Sequence, residues 1–262
     1  MKKFLTLPLP LAIISSLLFG GPVFAQTEEL KAATQGVVES GDRLEDIKTN
    51  EELTDEERVA KEAEERRTAL EKIFELSQLE VKTLLLKVNA VDELSVEYIE
   101  LQIRLLKQLN LMATLLKDFQ NRLEEAASLD AVKDLAIEFK AWREEAYNVT
   151  VQVSLEFISV FQAQTLLRIA ENRFDKIAND LRRLRSSRVV KIEILEPLLN
   201  WAGQDLKEAR ALLNQAMILL LETKEDKPSV NEIVKNMVSK IKDAYSRFLE
   251  MSSLVRKMVN AS

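Results

Sequence analysis

Residues 130–186 read DAVKDLAIEFKAWREEAYNVTVQVSLEFISVFQAQTLLRIAENRFDKIANDLRRLRS and contain neither glycine nor proline. Apolar side chains recur in this stretch at alternating spacings of three and four, which places them on one face of a helix. The pattern predicts one helix of about 56 residues, or about 84 Å at about 1.5 Å per residue. The predicted buried face consists of Val132, Leu135, Phe139, Trp142, Ala146, Val149, Val153, Phe157, Val160, Gln164, Leu167, Ala170, Phe174, Ile177, Leu181 and Leu184.

Two points along this helix allow a second interpretation. The β-branched residues in 149–153 also fit the alternation of a strand. We favour helix, because the spacing of three and four continues through this segment and no other segment resembles a partner strand; a bend here is the alternative. Gln164 is the one polar residue on the face, where it sets the helix register or faces solvent at a junction between bundles.

Four further helices are predicted around the long one, because only three glycines and two prolines follow residue 25. The capping box Thr54-Asp55-Glu56-Glu57 opens a helix that ends near Val91, and another helix follows from Leu94 to about Ala127. After the long helix, one helix begins between Val190 and Pro197. A second capping box, Ser229-Val230-Asn231-Glu232, opens the last helix.

These lengths predict an all-α fold in the form of an elongated antiparallel helical bundle. Helices of about 37 and 32 residues precede the long helix and helices of about 30 and 32 follow it, so each half of the long helix matches one pair. We expect two tandem three-helix bundles, 54–158 and 159–262, that share the long central helix. Residues 26–53 are expected to form a weakly ordered segment or a short helix. A single bundle with the long helix bent near 149–153 is the competing arrangement. A radius of gyration well above the roughly 17 to 18 Å of a compact 237-residue chain would favour the tandem form.

The first 25 residues have the three parts of a secretory signal peptide. Lys2 and Lys3 precede a largely apolar stretch, and the small residues Val23 and Ala25 precede a switch to polar sequence. We therefore predict cleavage after Ala25 and a secreted or periplasmic protein. An uncleaved membrane anchor is the alternative, but residues 11–19 fall far short of the ~20 apolar residues that span a bilayer. No later stretch approaches that length, so no stable membrane span is expected after cleavage.

Composition excludes several chemistries. The chain has no histidine and no cysteine, which removes the commonest general base, the usual zinc ligands and thiol nucleophiles. Removal of Lys2 and Lys3 with the signal peptide leaves 35 basic against 43 acidic residues, a net charge of −8 that argues against nucleic-acid binding. We expect no enzyme, no cofactor and no metal site. Acidic residues interleaved with basic ones, such as Glu62 and Arg66, are typical of a solvated helix face, and an enzyme that uses carboxylates alone is the minor alternative.

The strongest local charge bias lies at the end of the long helix and in the turn after it. Such a cluster could bind an anion or an acidic partner. Cations also stabilise the negative end of a helix dipole by ~0.3 to 1 kcal/mol, which explains basic residues there without any ligand. The candidate residues are Lys176, Arg182, Arg183, Arg185, Arg188 and Lys191. Both tryptophans, Trp142 and Trp201, are expected in the core.

These features favour a non-enzymatic exported helical protein that acts as a structural spacer or a protein-interaction module of the cell envelope or extracellular space. Its protein partner and its oligomeric state are left open by the sequence. The alternative is a secreted helical toxin or membrane-active protein that exposes a helix such as residues 209–221. Leakage of liposomes on addition of the purified protein would favour that alternative.

Overall fold

A computed structural model of the chain describes residues 23–50, 52–187, 192–222 and 228–260. Every regular element within these ranges is helical, which confirms the predicted all-α class. The chain divides into two compact units, with the boundary in the sequence between Gln152 and Val153. The elements are α1 (Val23–Thr49), α2 (Asp55–Asn89), α3 (Val96–Glu125), α4 (Leu129–Trp142), a π-helical turn (Arg143–Tyr147), α5 (Asn148–Ser187), a 3₁₀ turn (Ile192–Ile194), α6 (Glu196–Leu221) and α7 (Val230–Asn260).

Side-chain caps are formed at the starts of α2, α4 and α7, whereas α3 and α6 begin without one. The Thr54 hydroxyl accepts a hydrogen bond from the Glu57 backbone N–H at 3.3 Å, and the Glu57 carboxylate accepts one from the Thr54 N–H at 3.0 Å. The Thr54 N–H and the Thr54 hydroxyl both donate to the Glu57 carboxylate, and these two bonds lower the pKa of Glu57 because they stabilise its charged form. Ser128 caps α4 and Ser229 caps α7, each through its hydroxyl oxygen. The backbone N–H groups that start these helices thus find acceptors within their own sequence.

The apolar faces of α3 and α6 form their core contacts. On α3, the apolar residues at spacings of three and four from Tyr98 to Leu123 are all buried, and Leu94, before the helix, is half-buried. On α6, seven residues at this spacing from Leu198 to Leu220 are buried, as is Leu195 just before the helix, and Pro197 lies in the first turn. Burial deepens along α2, since no residue in 55–69 is buried and Leu70 is the first.

The helix α1 is longer and more closely packed than the weakly ordered segment or short helix that the sequence suggests. It spans 27 residues and lies along α2, where Gly36 faces the Lys72 side chain at 3.6 Å and Arg43 pairs with Glu65 at 2.8 Å. Its contact face includes Ser40, which is fully buried. Small residues let two helix backbones approach closely but give no aliphatic periodicity, so the pattern of residues 28–50 understates this helix. Its first turn includes the predicted cleavage site after Ala25, while residues 1–22 lie outside the described residues.

The π-helical turn shifts the register of the long helical segment. The segment 149–153 is helical as predicted, and α4, the π turn and α5 follow one another without a loop. At the π turn, however, the Asn148 N–H donates to the Arg143 carbonyl five residues earlier, so one extra residue enters the helix.

Around the π turn, the buried face lies one position later in the sequence than predicted. The predicted inward residues Ala146 and Val149 are exposed, whereas Tyr147 and Thr150 are buried. The prediction that the spacing of three and four continues in register is therefore wrong. Phe157 and Val160 are buried as predicted, and Gln164 is half-buried beside the buried Ala163.

The two tryptophans have different environments. Trp142 is half-buried in an aromatic cluster of the first unit, within 5.6 Å of the ring centre of Phe139. Trp201 was expected in the core but is 54% exposed, so that prediction is wrong. It lies beside the buried face of α6, next to Ala202, and the Arg247 guanidinium of α7 covers its ring at 5.3 Å from the centroid. A cation–π contact thus replaces core burial.

Candidate functional site

The outer face of α3 carries a row of exposed aliphatic side chains. Val96 is 69% exposed, Ile103 and Leu111 are each 60% exposed, and Ile99 is 42% exposed. At 100° per residue, these four positions fall within about 120° of the helix circumference, opposite the buried Leu105. We call Val96, Ile99, Ile103 and Leu111 the α3 outer stripe. The helix α3 therefore has two apolar faces, one in the core of the first unit and one in contact with solvent.

Charged residues lie among the aliphatic residues of the α3 outer stripe, and acidic ones precede basic ones along the helix. Glu97 and Glu100 are near its start, and Arg104 and Lys107 are near its middle; all four are exposed. The Ser95 hydroxyl donates to the Glu97 carboxylate at 2.8 Å, which lowers the pKa of Glu97 and keeps it ionised at neutral pH. Acidic residues thus lie near the start of the stripe and basic residues near its middle, with aliphatic residues on both sides of each group.

A contiguous exposed apolar stripe has a different meaning from scattered exposed residues. Single apolar side chains are common on protein surfaces, whereas apolar rows bordered by polar residues mark interaction sites. This row is not among the predicted features, because the inner face alone accounts for the packing of α3. A helical projection of 96–111 shows the second stripe, since Val96, Ile99 and Ile103 also have the spacing of three and four.

A buried polar cluster in the first unit is the second notable feature. The Tyr147 hydroxyl, on the π turn, donates to the Glu80 carboxylate of α2 at 2.5 Å and lies 3.2 Å from the Ser77 carbonyl. Glu80 is 5% exposed and Tyr147 is 1% exposed. The Arg143 guanidinium lies over the Tyr147 ring at 4.9 Å from its centroid. Because an α-helical turn would leave Tyr147 one position away from this face, the π turn is what brings the hydroxyl to Glu80.

Both partners in this cluster have raised pKa values. Burial raises the pKa of Glu80, while the Tyr147 hydrogen bond and the Arg143 charge oppose that increase. Burial has the largest effect on the pKa of Tyr147, and the charge of Glu80 has the next largest; together they raise this pKa well above its usual value. Tyrosine therefore keeps its proton and donates it in the hydrogen bond. Since both side chains are buried and hydrogen-bonded to each other, the cluster holds the π turn against α2.

Four residues of the predicted basic cluster lie on the exposed surface of α5, namely Lys176, Arg182, Arg183 and Arg185. Arg182 donates to the Asn179 side chain at 2.6 Å, Arg183 lies 4.0 Å from Asp180, and Lys176 is exposed. Arg185 lies 3.7 Å from Glu196 at the start of α6. Arg188 and Lys191 lie outside the described residues. Each described arginine of the cluster thus has a nearby polar or acidic side chain, and contacts of this exposed kind are weak.

Other predicted features can be placed on the described surface. Glu62 and Arg66 form the expected ion pair at 2.7 Å, although both side chains are half-buried. Within the described ranges, no group of three or more acidic, histidine or cysteine side chains is placed to hold a metal ion. None of the helices described has enough length and apolar character to cross a bilayer. A shallow groove between α1 and α2, lined by Glu29, Gln78 and Lys82 among others, is open to solvent.

Comparison of the chain with models of protein families, with curated proteins and with solved structures finds no match.

Proposed function

We propose that this chain is an exported, non-enzymatic helical protein that acts as a protein-interaction module of the cell envelope or extracellular space. The observation that carries this proposal is the α3 outer stripe. Eight buried side chains on the opposite face already attach α3 to its unit, so the outer aliphatic residues are not needed for that packing. Their exposure is what a docking face requires before its partner arrives.

The stripe supports a specific interaction of modest strength. Burial of the exposed parts of four aliphatic side chains contributes about 3 to 6 kcal/mol before the cost of association is subtracted. The charged residues Glu100 and Lys107 on the same surface add orientation and partner choice more than affinity. Export is supported by the signal-like residues 1–25.

A capture experiment with matched variants tests the docking role. The chain, purified from cells that express the full-length gene, is immobilised and exposed to the envelope and secreted fractions of the producing cell. Ile103→Glu places a charge in the stripe, whereas Ile137→Glu changes a residue of α4 that is 61% exposed, almost the same as Ile103. We expect the wild type and Ile137→Glu to retain a partner and Ile103→Glu to lose it. Equal capture by all three would overturn the docking role of α3.

The terminus of the purified protein tests export. Mass spectrometry should find Gln26 as the first residue of the protein from the periplasm or the medium. A protein that keeps residues 1–25 and stays in the cytoplasm would contradict the proposal.

The membrane-active alternative makes an opposite prediction. Its candidate helix, 209–221, has Leu213 and Leu220 buried in the second unit, so release of this helix would have to break its packing against α7. Leakage of dye-filled anionic vesicles on addition of the protein would replace the docking proposal with this alternative; intact vesicles at the same concentration would support the docking proposal.

A further inference from the structure

We propose that the α3 outer stripe pairs with the same stripe of a second copy of this chain, in an antiparallel, two-fold arrangement. The inference rests on the proposed function, because it names the partner of the same surface. It follows from the order of apolar and charged residues along residues 96–111.

The aliphatic residues are self-complementary about a point near Ile103. In a two-fold pair, each residue faces the position equally far from the axis in the opposite direction. With the axis at Ile103, Val96 of one copy lies about level with residue 110 of the other, next to Leu111. Ile99 lies about level with Lys107, whose methylene stem can cover it. The two Ile103 side chains meet at the centre, so the apolar residues of each stripe find apolar cover.

The charges select the antiparallel orientation. Glu100 of one copy lies about level with residue 106 of the other, next to Lys107, and the reciprocal pair forms on the other side of the axis. A parallel pair would place Glu100 against Glu100 and Lys107 against Lys107. Like charges in direct opposition are unfavourable, whereas the antiparallel pair places opposite charges together twice. Among the described residues, no ion pair includes Glu100 or Lys107, and both side chains are exposed.

The interface is short and should be weak. Residues 96–111 cover about 24 Å of helix at about 1.5 Å per residue, with four aliphatic side chains from each copy. Small interfaces of this kind are typical of weak or transient association. The pairing is therefore a concentration-dependent equilibrium, which requires measurement over a wide concentration range.

Sedimentation equilibrium of the purified full chain from about 1 µM to about 1 mM tests this pairing with three charge variants. Glu100→Lys and Lys107→Glu each create like-charge contacts in a homotypic pair and should weaken self-association at least tenfold. An equimolar mixture of the two restores both opposite-charge contacts and should associate as tightly as the wild type. Lys207→Glu, on the exposed surface of α6, is the charge-matched control and should leave association unchanged.

Crosslinking gives a second, independent readout. The chain has no cysteine, so Ile103→Cys provides one thiol next to the proposed axis. Under mild oxidation it should form a disulfide-linked dimer, and Ile137→Cys, with the same exposure, should form far less. Circular dichroism confirms that each variant is helical before it is compared.

The outcomes separate this inference from the proposed function. A wild-type chain that stays monomeric up to about 1 mM, or a mixture of variants that fails to regain association, overturns the homotypic pairing. If Ile103→Glu still abolishes capture of a different protein in that case, the docking role remains and only the identity of the occupant changes. If the wild type does not self-associate and Ile103→Glu does not reduce capture of any protein, both proposals are wrong.

Discussion

Replacement of Tyr147 by phenylalanine isolates one hydrogen bond in the core of the first unit. The ring is kept, so its contact with Trp142 at 5.3 Å and its place on the π turn are preserved. The hydroxyl that donates to Glu80 at 2.5 Å is lost. A buried carboxylate that loses its donor costs about 1.5 to 3 kcal/mol, since it is shielded from water and can find no replacement. For a protein of this size, we expect the melting temperature of the first unit to fall by about 3 to 12 °C.

The two-unit chain requires a probe that reports the first unit alone. Trp142 lies in the aromatic cluster beside Tyr147, whereas Trp201 belongs to the second unit. In a Trp201→Phe background, tryptophan fluorescence during urea or thermal unfolding therefore follows the first unit. Tyr245→Phe is the negative control, because it removes a tyrosine hydroxyl from the second unit and should leave the unfolding of the first unit unchanged.

The stability lost on Tyr147→Phe should increase with pH. The folded-state pKa of Glu80 is raised, so this carboxyl costs nothing below its unfolded pKa and reduces stability as pH rises through the folded value. The Tyr147 hydrogen bond opposes that increase, and its removal raises the pKa of Glu80 further. The destabilisation caused by Tyr147→Phe should therefore be smallest at acidic pH, where Glu80 is protonated, and should grow as pH rises through the folded-state pKa of Glu80.

Two results would refute this reasoning. The first is a Tyr147→Phe protein as stable as the wild type at pH 8. The second is a loss of equal size at every pH, since that would come from packing rather than from the Glu80 charge. Addition of Glu80→Gln to the Tyr147→Phe variant removes the buried charge and should recover most of the lost stability at pH 8.

Three further substitutions have defined outcomes. Thr54→Ala removes a cap of α2 and should cost about 0.5 to 2 kcal/mol in urea unfolding, with no such loss for Thr54→Ser. Arg247→Met keeps the apolar stem but removes the guanidinium that donates to the Asp205 carboxylate at 2.7 Å, and Asp205 is only 7% exposed. The free energy of unfolding of the second unit should fall by about 1 to 3 kcal/mol. Trp201 fluorescence in a Trp142→Phe background measures this change. Ile103→Gln should leave the melting temperature of the monomer within about 2 °C of the wild type, because this side chain contributes little to the core.

The helix boundaries were predictable because their signals are local. A capping box needs only the residues from Thr54 to Glu57, and the structure forms both of its hydrogen bonds. The core faces of α3 and α6 were predictable for a related reason, since their aliphatic residues recur at helical spacing without a break. In each case, the information lies within a few turns of one helix.

The register shift was not predictable from the same rule. Counting at 3.6 residues per turn assumes a regular α-helix, and one π turn at Arg143–Tyr147 breaks that assumption by a single residue. The shift depends on a partner in another helix, because Tyr147 reaches Glu80 only when the extra residue is present. One signal was available in α2. Glu80 lies between Leu76 and Leu84 at spacings of four, so a charged residue was visible on the apolar face and required a buried partner.

The two apolar faces of α3 have different physical requirements. The inner face contributes to the stability of the unit, and its residues would be aliphatic in any packed bundle. The outer face makes no such contribution, and the β-branched residues Val96, Ile99 and Ile103 have lower helix propensity than the alanine, glutamate or lysine usual on a solvated face. These residues therefore cost α3 stability and solubility as long as the face stays bare. A second α3 stripe, laid antiparallel with Glu100 beside Lys107, covers the aliphatic residues and pairs the charges with residues already present in the chain, which is why we place a copy of the protein on this face.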